Sequence, residues 1–157
     1  MESGGVIIKA QDYKENDKLL WIFTEKMGKI TAIAKGAKKS KSKLFSLTHP
    51  LCYGDYLLFK GKGLYRLSEG KIRTSFQTSL TDLEKLTYAS YLCELIDISL
   101  QDEEENFNLY KNLKFSYFDD HEELKHNCIL ILLTFHNHEL YHRQIKHLLS
   151  LNNYFYN

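Results

Sequence analysis

The sequence predicts an α+β chain: a small five-stranded β-barrel over residues 1–80, then an all-α region over 81–157. Three observations carry that prediction. Short runs of β-branched and aromatic residues, punctuated by glycine and polar turns, fill the first half. Apolar residues at three- and four-residue steps fill the second. The charge divides at the same point. Residues 1–80 hold 15 Lys+Arg against 7 Asp+Glu, a net +8, and residues 81–157 hold 6 against 13, a net −7, summing to the +1 of the whole chain.

Val6-Ile7-Ile8-Lys9-Ala10 is a β-branched run that ends in the polar cluster Asp12–Asp17. Leu19–Thr24 follows, dense in strand formers, and Met27-Gly28 makes a tight turn. Lys29–Lys35 is the third strand. After an irregular stretch, Lys43–Leu47 is expected to form one helical turn, closed off by Pro50. Tyr53–Lys60 is a fourth strand, with Tyr56 and Leu58 on one face and Leu57 and Phe59 on the other. Gly61-Lys62-Gly63 turns into Leu64–Phe76, a fifth strand or a pair broken near Glu69-Gly70. Five strands with an irregular segment between the third and fourth match an OB-fold. An SH3-like barrel gives nearly the same string, and periodicity does not separate the two.

The irregular segment is the most unusual part of the chain. Lys35-Gly36-Ala37-Lys38-Lys39-Ser40-Lys41-Ser42-Lys43 holds five lysines and no acid, and no Asp or Glu occurs between Glu25 and Asp55. An unopposed basic segment attracts polyanions, although a lone lysine run is more often a solvated loop. Its setting favours the first reading, because OB barrels bind single strands by pairing a basic groove with aromatic platforms. Candidate phosphate contacts are Lys9, Lys35, Lys38, Lys39, Lys41, Lys43, Lys62 and Arg66. Candidate stacking residues are Tyr13, Phe45 and Tyr65. Small barrels fill their interiors with large side chains, so of Tyr13, Phe45, Tyr53 and Tyr65 one or two are expected to face solvent. Trp21 reads as core.

Beyond the barrel, Thr81-Asp82-Leu83-Glu84 is a capping box, and Leu83, Leu86, Ala89, Cys93, Ile96 and Leu100 form one apolar stripe. Gln101–Glu105 reads as a solvated polar loop, and Asn106 as the cap of a second helix carrying Phe107, Leu109, Tyr110 and Leu113. A third helix is expected from Asp119 or Asp120 through Phe135, and a fourth over Glu139–Leu151.

Several functional classes are excluded or set aside. No apolar run approaches the ~20 residues that span a bilayer, and no secretory signal opens the chain. Cys52, Cys93 and Cys128 lie far apart with no CxxC pair, which argues against disulfides and a cysteine zinc site and fits a reducing cytoplasm. Cys52 and Cys93 read as buried thiols. No Walker A loop, GxSxG or convincing carboxylate pair is present. His138-Glu139-Leu140-Tyr141-His142 is a literal HExxH, yet no acid follows His142 to complete a zinc site, and His147 sits about 140° around a helix from it. No catalysis, metal or cofactor is expected.

Several stretches, in order, resemble the RecO family of bacterial DNA-repair proteins. They are Gly5-Val6-Ile7-Ile8-Lys9, Asp12–Leu19, Phe23–Ile30, Ala34–Lys43, Tyr53-Gly54-Asp55, Lys60–Leu64 and Asp82–Asp97, and the likeness runs from about residue 4 to about residue 113. The resemblance implies an N-terminal OB domain that binds single- and double-stranded DNA and anneals complementary strands. It also implies partnership with RecR and with the single-strand-binding protein SSB, so that RecA replaces SSB on gapped DNA in the RecF pathway. The implied location is cytoplasmic and nucleoid-associated. Departure begins near Phe115. Family members continue into a longer helical domain, often with a four-cysteine zinc module, to roughly 240 residues. The expectation is therefore a truncated or frame-shifted member whose last 40 or so residues are not family sequence, with weakened SSB contact. Two other classes stand beside this reading: a protein-interaction adaptor with incidental DNA binding, and an HExxH zinc hydrolase.

Overall fold

A computed structural model describes residues 1–75 and 83–118. Five strands, β1 (Glu2–Tyr13), β2 (Asp17–Thr24), β3 (Gly28–Ala34), β4 (Cys52–Lys60) and β5 (Tyr65–Ser75), precede two helices, α1 (Leu83–Ser99) and α2 (Phe107–Phe118). The strands close in the order β1-β2-β3-β5-β4. The β3–β5 pair is parallel, with Ala32 beside Tyr65 and Ile33 beside Arg66, and the remaining pairs are antiparallel. This is an OB-like barrel in an α+β chain. The expected domain division at 80/81, the two further helices and the HExxH all lie outside the described residues.

The β-branched run Val6-Ile7-Ile8 is explained by burial on both faces of β1. Ile7 points into the barrel, whereas Val6 and Ile8 point outward to a second core beneath the helices. Ordinary strand alternation puts Val6 and Ile8 on one face and Ile7 on the other. A bulge falls at the end of the run: Ile7 pairs with Ile22 and Lys9 with Trp21, leaving Ile8 as the extra residue. The inner core holds Leu20, Ile22, Ile30, Tyr56, Leu58 and Leu67. The outer core joins Val6, Ile8, Phe23 and Tyr53 to Leu92, Ile96, Leu109 and Leu113. Barrel and helices therefore share hydrophobic packing.

Local departures from the expected elements have simple causes. Residues 43–47 form no α-helical turn. Bonds of N–H to the carbonyl three residues back run from Phe45 to Ser42, from Leu47 to Leu44 and from Thr48 to Phe45 instead. The fifth strand is not broken at Glu69-Gly70, because register shifts against β4 absorb the irregularity. Leu83 starts α1 but is exposed, off the buried stripe of Ala89, Leu92, Cys93 and Ile96. Asn106 does cap α2, its Oδ1 accepting from the Leu109 N–H at 3.0 Å. No described helix is long and apolar enough to cross a membrane.

The acidic loop 101–105 is not merely solvated. It docks on the start of β3, where the Glu103 N–H donates to the Lys29 carbonyl at 2.7 Å. Gly28 allows this approach. Its φ is +66°, and a Cβ there would overlap the Glu104 carbonyl oxygen. Gly28→Ala should cost about 2–4 kcal/mol by urea unfolding, since both the left-handed backbone and the close contact resist a side chain. A cost under about 0.5 kcal/mol would mean that the loop is not seated on the turn.

Candidate nucleic-acid interface

The lysine segment is the lid of the barrel. Ala37 is fully buried in the inner core, with Leu44 and Leu47 beside it, so the segment plugs the barrel end that β3 leaves. Burying those three small or aliphatic side chains forces the lysines between them outward. Lys35, Lys39, Lys41 and Lys43 are exposed, and Lys38 is half-buried. Gly36, at φ +67°, supplies the left-handed step that starts the lid.

The lid is tied to the β1–β2 hairpin. The Gly36 N–H donates to the Asp17 carboxylate at 2.8 Å, and the Lys38 N–H donates to the Asn16 carbonyl at 3.0 Å. Lys38 Nζ meets the Asp12 carboxylate at 2.7 Å. That contact holds the Asp12 carboxyl below its usual range. Lys18 Nζ reaches the Thr48 carbonyl at 3.3 Å, adding a cation at the far end of the lid. Lys14, at φ 53° in the hairpin turn, lies with its ammonium 5.4 Å from the Tyr13 ring centroid. Lys14 and Lys18 were not among the candidate contacts, because single lysines inside a mixed-charge hairpin carry no sequence signal of their own.

Two of the four aromatics face solvent, within the expected one or two. Tyr13 is 38 % exposed and Phe45 47 %. Phe45 also holds His49 edge-on, with ring centroids 5.4 Å apart. Burial, then the nearby Lys18 charge, lower the His49 pKa below its ordinary value and so favour the neutral imidazole. Tyr65, expected as a stacking platform, is instead a core residue. It is 9 % exposed and packs in the barrel interior, leaving no face for a base. Tyr53 is likewise buried, in the outer core.

The remaining candidate cations divide. Arg66 is exposed on β5 beside Ile33, near the lid end of β3, and Lys62 is exposed in the β4–β5 turn. Lys9 points to the helices: its ammonium lies 4.8 Å from the Trp21 ring centroid and 3.3 Å from an Asp97 carboxylate oxygen. Asp97 also takes Lys29 Nζ, at 3.4 Å through its carboxylate and 2.6 Å through its carbonyl. Lys60 pairs with Glu103 at 2.8 Å, which lowers the Glu103 pKa and raises that of Lys60. Part of the acidic charge of the second half thus offsets barrel lysines outside the lid. The lid itself keeps its positive excess.

Comparison with known proteins matches residues 1–76 to the family model "Recombination protein O N terminal" and residues 80–132 to "Recombination protein O C terminal". The chain belongs to the RecO family. It is 99 % identical over 111 residues to the DNA repair protein RecO of Clostridium perfringens, a match covering 71 % of this chain and 45 % of that protein. RecO of Clostridium acetobutylicum is 52 % identical over 117 residues, covering 74 % and 47 %. RecO of Shouchella clausii is 39 % identical over 105 residues, covering 67 % and 41 %. The chain spans less than half the length of these curated RecO relatives. The C-terminal family model reaches residue 132, past the residue near 113 to which the likeness extends, so the first part of the tail expected not to be family sequence does match the family.

Proposed function

We propose that this RecO-family chain binds DNA through its barrel lid, anneals complementary strands, and acts without catalysis as a mediator of recombinational repair. The observation that carries the DNA reading is the lid itself. A buried core of Ala37, Leu44 and Leu47 turns four lysines to solvent beside two exposed aromatics, Tyr13 and Phe45. Such a surface neutralises phosphates and stacks bases without reading sequence. Lys35, Lys38, Lys39, Lys41, Lys43, Lys62 and Arg66 supply the charge. Family membership supports contact with RecR and SSB, and the exchange of SSB for RecA on gapped DNA, as the wider role. Lys9 belongs to the barrel–helix contact in this scheme and stays off the DNA path.

One titration tests the electrostatic core of the proposal. Labelled single-stranded DNA titrated at several salt concentrations should give a log K against log salt slope near about −4 if six phosphates are neutralised, at roughly −0.7 each. A salt-independent affinity would refute it.

A further inference from the structure

The two acids beside the lid have opposite roles, a difference that charge counting does not reveal. Asp12 and Asp17 sit on the same hairpin, five positions apart, and each is a liability to phosphate binding by long-range electrostatics. Their contacts differ in kind. Asp12 neutralises a lysine, with its carboxylate 2.7 Å from Lys38 Nζ. Asp17 holds backbone, its carboxylate accepting the Gly36 N–H at 2.8 Å. From the DNA-binding reading above, on which the step rests, we infer that Asp17 is a positioning residue for the phosphate site. It sets where the lid lysines stand, although its own charge opposes the ligand.

The geometry gives the anchor its leverage. Gly36 and Lys38 are tied to the hairpin through their N–H groups, and Ala37 between them is fully buried in the barrel core. Three successive residues are thus pinned, and Lys35 and Lys39 flank them directly. Gly36 holds its φ of +67° without strain, and as a glycine it is equally free to leave that conformation once the bond to Asp17 is lost. A loop fixed before binding loses less entropy when its lysines are ordered on phosphates. Removing the anchor should therefore weaken binding even though it removes a negative charge.

The experiment uses the full chain and labelled oligo(dT), with Asp17→Ala, Asp17→Asn and Asp12→Ala compared with wild type. Asp17→Ala should bind about five- to tenfold more weakly, the worth of one charge-assisted bond to a backbone N–H, with a shallower salt slope. Asp17→Asn keeps an acceptor oxygen and should stay within about threefold of wild type. Asp12→Ala removes the same charge from the same hairpin and frees Lys38, so it should bind about twofold more tightly. Asp17→Ala and Asp12→Ala moving in the same direction, or Asp17→Ala and Asp17→Asn binding equally, would overturn the inference. Amide exchange on the wild-type chain needs no variant to fold: the Gly36 and Lys38 amides should be protected, and rapid exchange at both would overturn the anchor. A wild type that ignores oligo(dT) at all salt concentrations refutes the DNA-binding reading instead, whatever the amides report.

Discussion

Alanine at Lys38, Lys39, Lys41 and Lys43 together is expected to weaken single-stranded DNA binding on the order of a hundredfold at about 0.1 M salt. The figure follows from counterion release. Four lost phosphate contacts at roughly 0.7 each flatten the salt slope from about −4 to about −1.4, and the affinity difference grows as salt falls. Lys38 contributes less than the other three because it must leave Asp12 to meet a phosphate. The loss should be the same for oligo(dT) and for mixed sequences, since phosphate contacts carry no sequence information. Folding should survive, because the lid is held by Ala37, Leu44 and Leu47 together with its backbone ties. Unchanged binding in a folded variant would move the site away from the lid, toward Lys62 and Arg66.

Asp97→Ala should lower stability by about 2–3 kcal/mol, read as a fall in the urea midpoint at constant m. The cause is the ammonium that would be left behind. Lys29 is 7 % exposed, and Asp97, with a 22 % exposed side chain, faces it from α1. Deleting the carboxylate leaves a buried cation with the Asp97 carbonyl as its remaining partner from that residue. Lys9 also loses its partner, at little cost, because it is half-exposed and rests over Trp21. Lys29→Met, which removes the charge and keeps the volume, should cost less than about 1 kcal/mol, and should recover most of the Asp97→Ala loss when combined with it. A loss below about 0.5 kcal/mol in Asp97→Ala would show that water already solvates Lys29.

The elements that could be read from sequence were those with local causes. Strand formers between turn residues located all five strands, and Asn106 before an apolar run located the cap of α2. Tyr56 and Leu58 alternate with Leu57 and Phe59, and the first pair is buried. Where the reading failed, a partner distant in sequence had intervened. Loop 101–105 reads as solvated because acids are normally exposed, yet it closes on Lys29 through backbone bonds and a turn glycine. Tyr65 reads as a platform because it neighbours Arg66. Pairing with Ala32 turns its ring into the barrel instead.

By itself the sequence determined that the first half is a basic barrel, that its lysines cluster in one segment between the third and fourth strands, and that the cluster has no acid within it. Composition and local spacing suffice for that. The tertiary structure alone decided that the cluster is a plugged lid rather than a solvated loop, because burial of Ala37 depends on strands that close around it. It also decided which nearby acid pairs with a lysine and which one holds backbone. Asp17 and Gly36 are 19 residues apart, and only the meeting of hairpin and lid makes one carboxylate an anchor. Charge is a property of the residue, whereas the partner that gives it a role is a property of the fold.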